Sequence, residues 1–221
     1  MSSKSLSAGA SYSRIGSQGG LYVISAPSGA GKTSLVRALV ARRPNLVLSV
    51  SWTTRAPRPG ERDGLDYRFV DPARFAAMRA TGEFLESATV FGNSYGTRAR
   101  DVARERAAGR DVVLEIDWQG ARAVRAELPE TVSVFILPPS RASLRARLAG
   151  RGTDSGSVIE RRMAAAAAEM AHWAEFDYVI VNEDFARALD NLDDIFVGKG
   201  EGFRRGRPDL AAFAAGLLES A

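Results

Sequence analysis

The sequence predicts an α/β fold, and three observations carry that expectation. An apolar run, Leu21–Ile24, leads through a Gly-rich loop into an amphipathic segment, Ser34–Arg43, with Leu35, Val36, Leu39 and Val40 on one face. Further apolar runs at Leu46–Val50, Asp111–Asp117, Val132–Leu137 and Tyr178–Val181 alternate with helical stretches, as the strands of a buried parallel sheet do. Between about 52 and 97 prolines and glycines break the alternation, which fits an inserted subdomain. At 221 residues the chain suits one such domain with insertions.

The loop Ser25-Ala26-Pro27-Ser28-Gly29-Ala30-Gly31-Lys32-Thr33 reads as a phosphate-binding loop. The pattern G-x-x-x-x-G-K-[ST] places backbone N–H groups around phosphate oxygens at a helix N-terminus, with Lys on the outer phosphates and a hydroxyl on Mg²⁺. Gly31, Lys32 and Thr33 match it, whereas Ala26 stands where the pattern opens with Gly. A plain Gly-rich turn is the competing reading. Lys32 is one of only 3 lysines beside 27 arginines, so its place in the motif is informative.

Composition narrows the chemistry. No cysteine is present, which excludes disulfides, thiolate metal sites and a thiol nucleophile, and suits an intracellular, cytoplasmic setting. The net charge of +4 comes from arginines interspersed with acids rather than from basic runs, so small phosphorylated ligands are expected ahead of nucleic acid. No apolar stretch approaches the ~20 residues of a membrane span. Residues 1–19, with seven serines, three glycines and no acid, read as a flexible tail; Lys4 and Arg14 in that setting also suit an organelle transit segment.

Downstream of the loop, Arg55 and Arg58 lie three apart in a Pro-fixed segment and can converge on one anion, or form a solvated basic loop. Short strands are expected at Asp66–Val70 and Glu83–Phe91, with a helix from about Pro72 to Ala80 between them and a polar helix from Arg98 to Gly109 beyond. Period two puts Glu115 and Asp117 on one face near a strand's C-terminal end, where parallel sheets bind ligands; either acid can instead cap the helix that follows. Ser140 opens a helix ended by Gly150 and Gly152, on which Arg147 and Arg151 repel unless an anion lies between them. Ser157 and Glu160 offer a capping box for the next helix, which carries Arg161 and Arg162 and continues as an Ala-rich stretch, Met163–Phe176. Its His172, the only histidine, has no partner by spacing and is assigned a structural or exposed role. After Tyr178–Val181 come Asn182-Glu183-Asp184, a helix around Phe185–Phe196, and an apolar C-terminal helix, Leu210–Leu218, that suits packing on the core or on a second subunit.

Together these motifs resemble the guanylate kinase family from about Leu21 to Phe196. The family pattern S-x-S-x-T-T-R-x-P-R-x-G-E-x-x-G-x-x-Y spans Ser49 to Tyr67, and the loop is of the SAPSGAGK type that bacterial members use. Further matches are Glu83-Phe84-Leu85-Glu86, Asn93-Ser94-Tyr95-Gly96-Thr97, Glu115-Ile116-Asp117-Trp118-Gln119-Gly120, Arg147-x-x-x-Arg151-Gly152-Thr153 and Val179-Ile180-Val181-Asn182. The resemblance implies a P-loop NTPase core with a parallel five-stranded sheet flanked by helices (20–51, 98–140 and 163–198), a mixed α+β GMP-binding subdomain (52–97) and a helical lid (141–162). An N-terminal tail (1–19) and a C-terminal extension (199–221) lie outside it.

The implied reaction is ATP + GMP → ADP + GDP, with Mg²⁺ as cofactor and dGMP also accepted. By the resemblance, Ala26, Pro27, Ser28, Gly29, Ala30, Gly31, Lys32, Thr33 and Asn182 bind ATP, and Thr33 ligates Mg²⁺, with Asp117 reaching it through water. Arg55, Arg58, Tyr67 and Tyr95 hold the GMP phosphate; Ser51, Glu86 and Thr97 address guanine; Glu115 and Asp117 complete the acceptor site. Lys32, Arg55, Arg147, Arg151, Arg162 and Asp117 form the catalytic set. Partners are thus small molecules, with neither nucleic acid nor membrane, in a monomer or a homo-oligomer. Three other readings stand beside it, a non-catalytic protein-binding domain of the same kind, a kinase of another monophosphate, and a nucleic-acid-binding role that rests on the basic charge alone.

Overall fold

The computed structural model describes residues 18–90, 92–150 and 156–219. The expectations for the N-terminal tail up to residue 17, for Phe91 and for Arg151, Gly152 and Thr153 fall outside these residues.

The apolar runs pair as one parallel sheet. β1 (Leu21–Ser25) lies at its centre between β7 (Asp111–Glu115) and β8 (Val132–Leu137), with β2 (Leu46–Leu48) and β9 (Tyr178–Val181) at the edges, in the order β2-β7-β1-β8-β9. Successive strand residues point to opposite faces, so Ile24, Val113, Val134 and Ile180 meet α1 (Lys32–Arg42) and α7 (Phe185–Phe196) on one side. On the other side Val23, Leu114, Phe135 and Val179 pack with α4 (Trp118–Glu127), α5 (Arg141–Ala149), α6 (Gly156–Met170) and α8 (Pro208–Glu219). Each fully buried leucine in these layers, Leu35 or Leu144 for example, contributes about 2 kcal/mol by leaving water. The C-terminal helix belongs to this core, since Leu210, Ala214 and Leu217 are buried there.

The Pro/Gly block folds as a second, mixed sheet in the order β4-β3-β6-β5. Here the structure departs from the sequence expectations. Trp52–Thr53 forms a short strand, β3, inside the stretch expected to be loop, pairing in parallel with β4 (Arg68–Phe69) and antiparallel with β6 (Asn93–Arg98). β6 carries polar residues and a glycine and has no apolar period, yet it forms because Gly92, at φ 78°, turns the chain back onto β5 (Phe84–Val90). α2 (Pro72–Ala80) is as expected: the Asp71 side chain accepts the Arg74 N–H at 2.8 Å, and Phe75 and Met78 pack against Trp52.

Three further expectations are corrected. β7 ends at Glu115, and Asp117 is instead the N-cap of α4, accepting the Gly120 N–H at 2.9 Å, so the two acids do not share a strand face. Ser157 already lies within α6, and Glu160 pairs with Arg145 of α5 rather than closing a capping box. The Ala-rich helix stops at Met170; a 3₁₀ turn at Trp173–Glu175 follows, in which Glu175 meets His172 Nδ1 at 2.6 Å while that ring stacks on Trp118 at 3.6 Å. His172 thus has an acid partner three residues on, contrary to the expectation from spacing, and the pair together with the Trp118 stack holds the turn against α4.

Candidate active site

The loop between β1 and α1 is held from three directions. Gly29 and Gly31 sit at φ 89° and 95°, where an L side chain is strained, and a Cβ on Gly31 would stand 2.3 Å from Asn182 Nδ2. That amide, at the end of β9, donates to the Ala30 carbonyl at 2.7 Å, and the Asn182 backbone carbonyl accepts Arg147 Nη2 at 3.0 Å. The Ser28 N–H donates at 3.0 Å to the Glu169 carboxylate on α6. Lys32 Nζ donates to the Ile116 carbonyl at 3.2 Å, and the Thr33 hydroxyl meets the Glu115 carboxylate. The N-terminus of α1 therefore opens onto a ring of backbone donors with one ammonium beside it, an arrangement suited to phosphate. Ala26 is buried in the core between sheet and α1, so its methyl takes the space a glycine would leave.

Facing the loop is a carboxyl group with few compensations. Glu86 of β5 pairs with Thr97 of β6, whose hydroxyl donates to Glu86 Oε1 at 2.7 Å. Only 6% of Glu86 is exposed, and that burial pushes its pKa up to about 7; the Thr97 hydrogen bond opposes the shift and nearby Asp117 adds to it. Gly120, in the first turn of α4, makes room for it: a Cβ there would lie 2.7 Å from Glu86 Oε2.

Beside Glu86 is a rigid cationic corner. The Arg55 Nη2 donates to both oxygens of Glu61 at 2.8 and 2.9 Å, and its guanidinium lies 5.2 Å from the Tyr67 ring. Burial opposes that charge, but Glu61 outweighs it and raises the Arg55 pKa. Glu61 also accepts the Arg58 N–H at 2.7 Å, which sets the turn and leaves the Arg58 residue exposed. Tyr67 and Tyr95 meet edge to face at 6.1 Å, and burial raises the Tyr67 pKa.

A cavity of about 290 Å³ joins these parts. Its wall contains the loop from Ala26 to Ser34 except Ala30, together with Ser51, Tyr67, Glu86, Tyr95, Glu115 and Asp117. Thr97 stands behind Glu86, Asn182 and Arg147 stand behind the loop, and Arg55 lies against Tyr67. Arg162 lies on α6 two turns before Glu169, and so on the helix face that reaches the loop. The Arg147 guanidinium is spent on the Asn182 and Ala30 carbonyls, at 3.0 and 3.4 Å.

Comparison with known proteins agrees with this geometry: a family model described as guanylate kinase matches residues 18–198. The chain belongs to the guanylate kinase family. A guanylate kinase of Alkalilimnicola ehrlichii is 57% identical over 200 residues, 90% of this chain and 98% of that protein. Another, from Dechloromonas aromatica, is 56% identical over 194 residues, 88% of this chain and 96% of that protein. The crystal structure of guanylate kinase from Anaplasma phagocytophilum matches with a TM-score of 0.70 at 37% identity, covering 83% of this chain and 87% of that one.

For a guanylate kinase, Glu169 escaped the sequence reading of the site, and Glu61 and Gly120, although within the matched motifs, were assigned no role. Glu169 had one local signal, an acid bordering the buried stripe Met163, Ala166 and Met170. Burial raises its pKa, with the Ser28 N–H and Lys32 opposing. A magnesium ion also fits the donors present. Among the described residues no group of three or more His, Cys, Asp or Glu could hold a metal alone, but Thr33 and Glu115 offer oxygens to an ion that arrives on nucleotide phosphates and keeps its waters.

Proposed function

We propose that this guanylate kinase moves the ATP γ-phosphoryl group to GMP, and to dGMP, in the cavity between the loop and Glu86, working in the cytoplasm. The observation that carries the assignment of sites is that one cavity has a phosphate loop on one wall and a buried, nearly uncompensated carboxyl on the other.

On the donor side the backbone N–H groups of Gly29, Gly31, Lys32 and Thr33 bind the ATP phosphates and Lys32 neutralises the outer ones, while the Ser28 and Ala30 N–H groups stay on Glu169 and Pro27 and hold the loop's shape. Asn182 and Arg147 keep the loop shaped from behind. Thr33 and Glu115 would hold Mg²⁺, which when bound supplies charge neutralisation across the phosphates. On the acceptor side Arg55 and Arg58, with the Tyr67 and Tyr95 hydroxyls, take the GMP phosphate. Ionised Glu86 accepts the guanine N1–H and 2-amino hydrogens, with Thr97 and Ser51 alongside. Adenine offers neither donor on that edge, and would leave Glu86 buried and unpaired, which excludes AMP strongly.

Phosphoryl transfer asks mainly for alignment and charge neutralisation, and the attacking GMP oxygen is already anionic, so no general base is required. A lid, 141–162, brings Arg151 and Arg162 to the migrating group and excludes water, and Arg147 joins them on leaving the Asn182 and Ala30 carbonyls. Asp117, as a helix cap at the cavity wall, orients the acceptor or a metal-bound water. The division of labour is a core (20–51, 98–140, 163–198), a GMP subdomain (52–97) and that lid. A coupled ADP-release assay with ATP and Mg²⁺ against GMP, AMP, UMP and dTMP tests the reading. Turnover with GMP and dGMP is expected; turnover with AMP in preference to GMP would overturn the assignment of Glu86.

A further inference from the structure

The block that carries the second sheet is held to the core by different means on its two flanks. On one, Leu85 of β5 is buried in a single apolar cluster with Val102 of α3 (Ala99–Ala107) and Ala121 of α4, and the Ala99 N–H donates to the Glu83 carbonyl at 3.0 Å. There the block is part of the core. On the other flank it meets α1 through charge: Arg37 Nη2 donates to Asp66 Oδ1, with the two side chains 60% and 14% exposed.

Both partners adjoin groups of the catalytic cavity. Thr33 and Ser34 of α1 line it, and Arg37 lies one helical turn beyond Thr33 on the same face. Asp66 immediately precedes Tyr67, which lines the cavity and lies against Arg55. The loop around Asp66 is closely tied to itself. Asp66 Oδ2 accepts the Arg62 N–H at 2.8 Å, Asp63 accepts the Phe69 N–H at 3.0 Å, and Gly64, at φ 76°, donates its N–H to the Tyr67 carbonyl at 2.8 Å. A shift of Asp66 is therefore carried to Tyr67. The carboxylate divides its two oxygens, one for its own turn and one for the helix that opens on the phosphate loop.

We infer that Arg37 and Asp66 are positioning residues for phosphoryl transfer, their ion pair setting the loop that carries Tyr67 against the helix that carries Lys32 and Thr33. The inference rests on the reading of residues 52–97 as the GMP subdomain. Neither side chain lines the cavity, so the pair acts through Tyr67 on the acceptor side and through α1 on the donor side. Transfer depends steeply on that spacing, since a misplacement of about 1 Å costs on the order of 100-fold in rate. An exposed pair shifts an equilibrium by a factor of only about 2 to 5. It thus biases the subdomain toward the donor helix without locking it, which leaves substrate entry and product release open.

The test is a double-mutant cycle on steady-state kinetics with ATP, Mg²⁺ and GMP. Arg37→Gln removes one charge at an exposed position, and Asp66→Asn removes the other while keeping an oxygen for the Arg62 N–H. Each single variant should lower kcat/KM for GMP by about two- to fivefold with the ATP KM unchanged, and the double variant should fall no further than either. Arg37→Lys, which can still pair, should recover most of the loss. Arg37→Glu, which sets two acids together, should lose more than Arg37→Gln, but only while Asp66 is present. Wild-type kinetics in Arg37→Gln, or losses that multiply in the double variant, overturn the proposal. A wild type inactive on GMP overturns both this inference and the reading beneath it, so the two failures are told apart by which protein shows them.

Discussion

GMP binding should release a proton from Glu86. Its burial lifts the carboxyl pKa from 4.5 to about 7 in the ligand-free protein, whereas guanine, with two donors on the facing edge, requires the ionised form. With a pKa near 7, about 0.9 of the molecules carry that proton at pH 6, about 0.5 at pH 7 and about 0.1 at pH 8. Those fractions are the protons released per GMP bound, beyond any taken up or lost by the GMP phosphate, which titrates near pH 6 itself. Titration calorimetry in buffers of different ionisation enthalpy measures them, and E86Q subtracts the phosphate contribution because it keeps the shape and loses the titration. Stability carries the same sign. A folded-state pKa above the unfolded value means that stability is fully present below about pH 4.5 and is lost as pH rises through about 7, by about 3 kcal/mol in ligand-free protein. Thermal unfolding of wild type against E86Q, between pH 5 and 8, should show a steeper loss in wild type, because E86Q keeps only the part that comes from buried Glu169 and the other groups. Equal proton release in the two proteins across pH 6–8 would refute the account of base recognition.

Other perturbations separate the two halves of the cavity. Gly120→Ala places a methyl 2.7 Å from Glu86 Oε2, so the GMP KM should rise on the order of tenfold or more while the ATP KM holds; a parallel rise in both would place the damage elsewhere. Lys32→Ala removes the ammonium beside the loop and should lower kcat by about 100-fold or more, with GMP binding by calorimetry unchanged. Glu169→Ala strips the acceptor from the Ser28 N–H and should raise the ATP KM by about fivefold, with most of the loss recovered in Glu169→Gln, whose amide oxygen can still accept. Equal ATP KM values in wild type and both variants would show that the loop needs no such anchor.

What was legible in the sequence follows from distance along the chain. Lys32, Thr33 and the positive-φ glycines lie within one turn of a strand–loop–helix unit, so local spacing alone exposes them. The core sheet is equally readable, because each of its strands is buried on both faces and spells a continuous apolar run. β3 and β6 do not spell themselves: the Gly-containing polar run of β6 is a strand because Gly92 folds it back onto β5, and the two residues of β3 are a strand because β6 and β4 flank them. Asp117 shows how two local rules compete, since period two and helix capping both suit it, and the Gly120 N–H decides for capping.

The contacts that make the site specific are the least legible, and for a physical reason. Glu169 reaches Ser28 across 141 residues, and Gly120 is required by a carboxylate 34 positions before it, so neither leaves a spacing pattern. Glu86 in the sequence is an ordinary acid in a strand; its pKa near 7 exists only because β5, β6 and α4 close around it. A short motif can therefore announce that phosphate is bound, while the choice of base is written in burial. The same asymmetry explains why Ala26 is tolerated: at the loop's opening the requirement is volume in the core, which a methyl meets, whereas at Gly31 it is a backbone angle and a gap for Asn182, which no side chain meets.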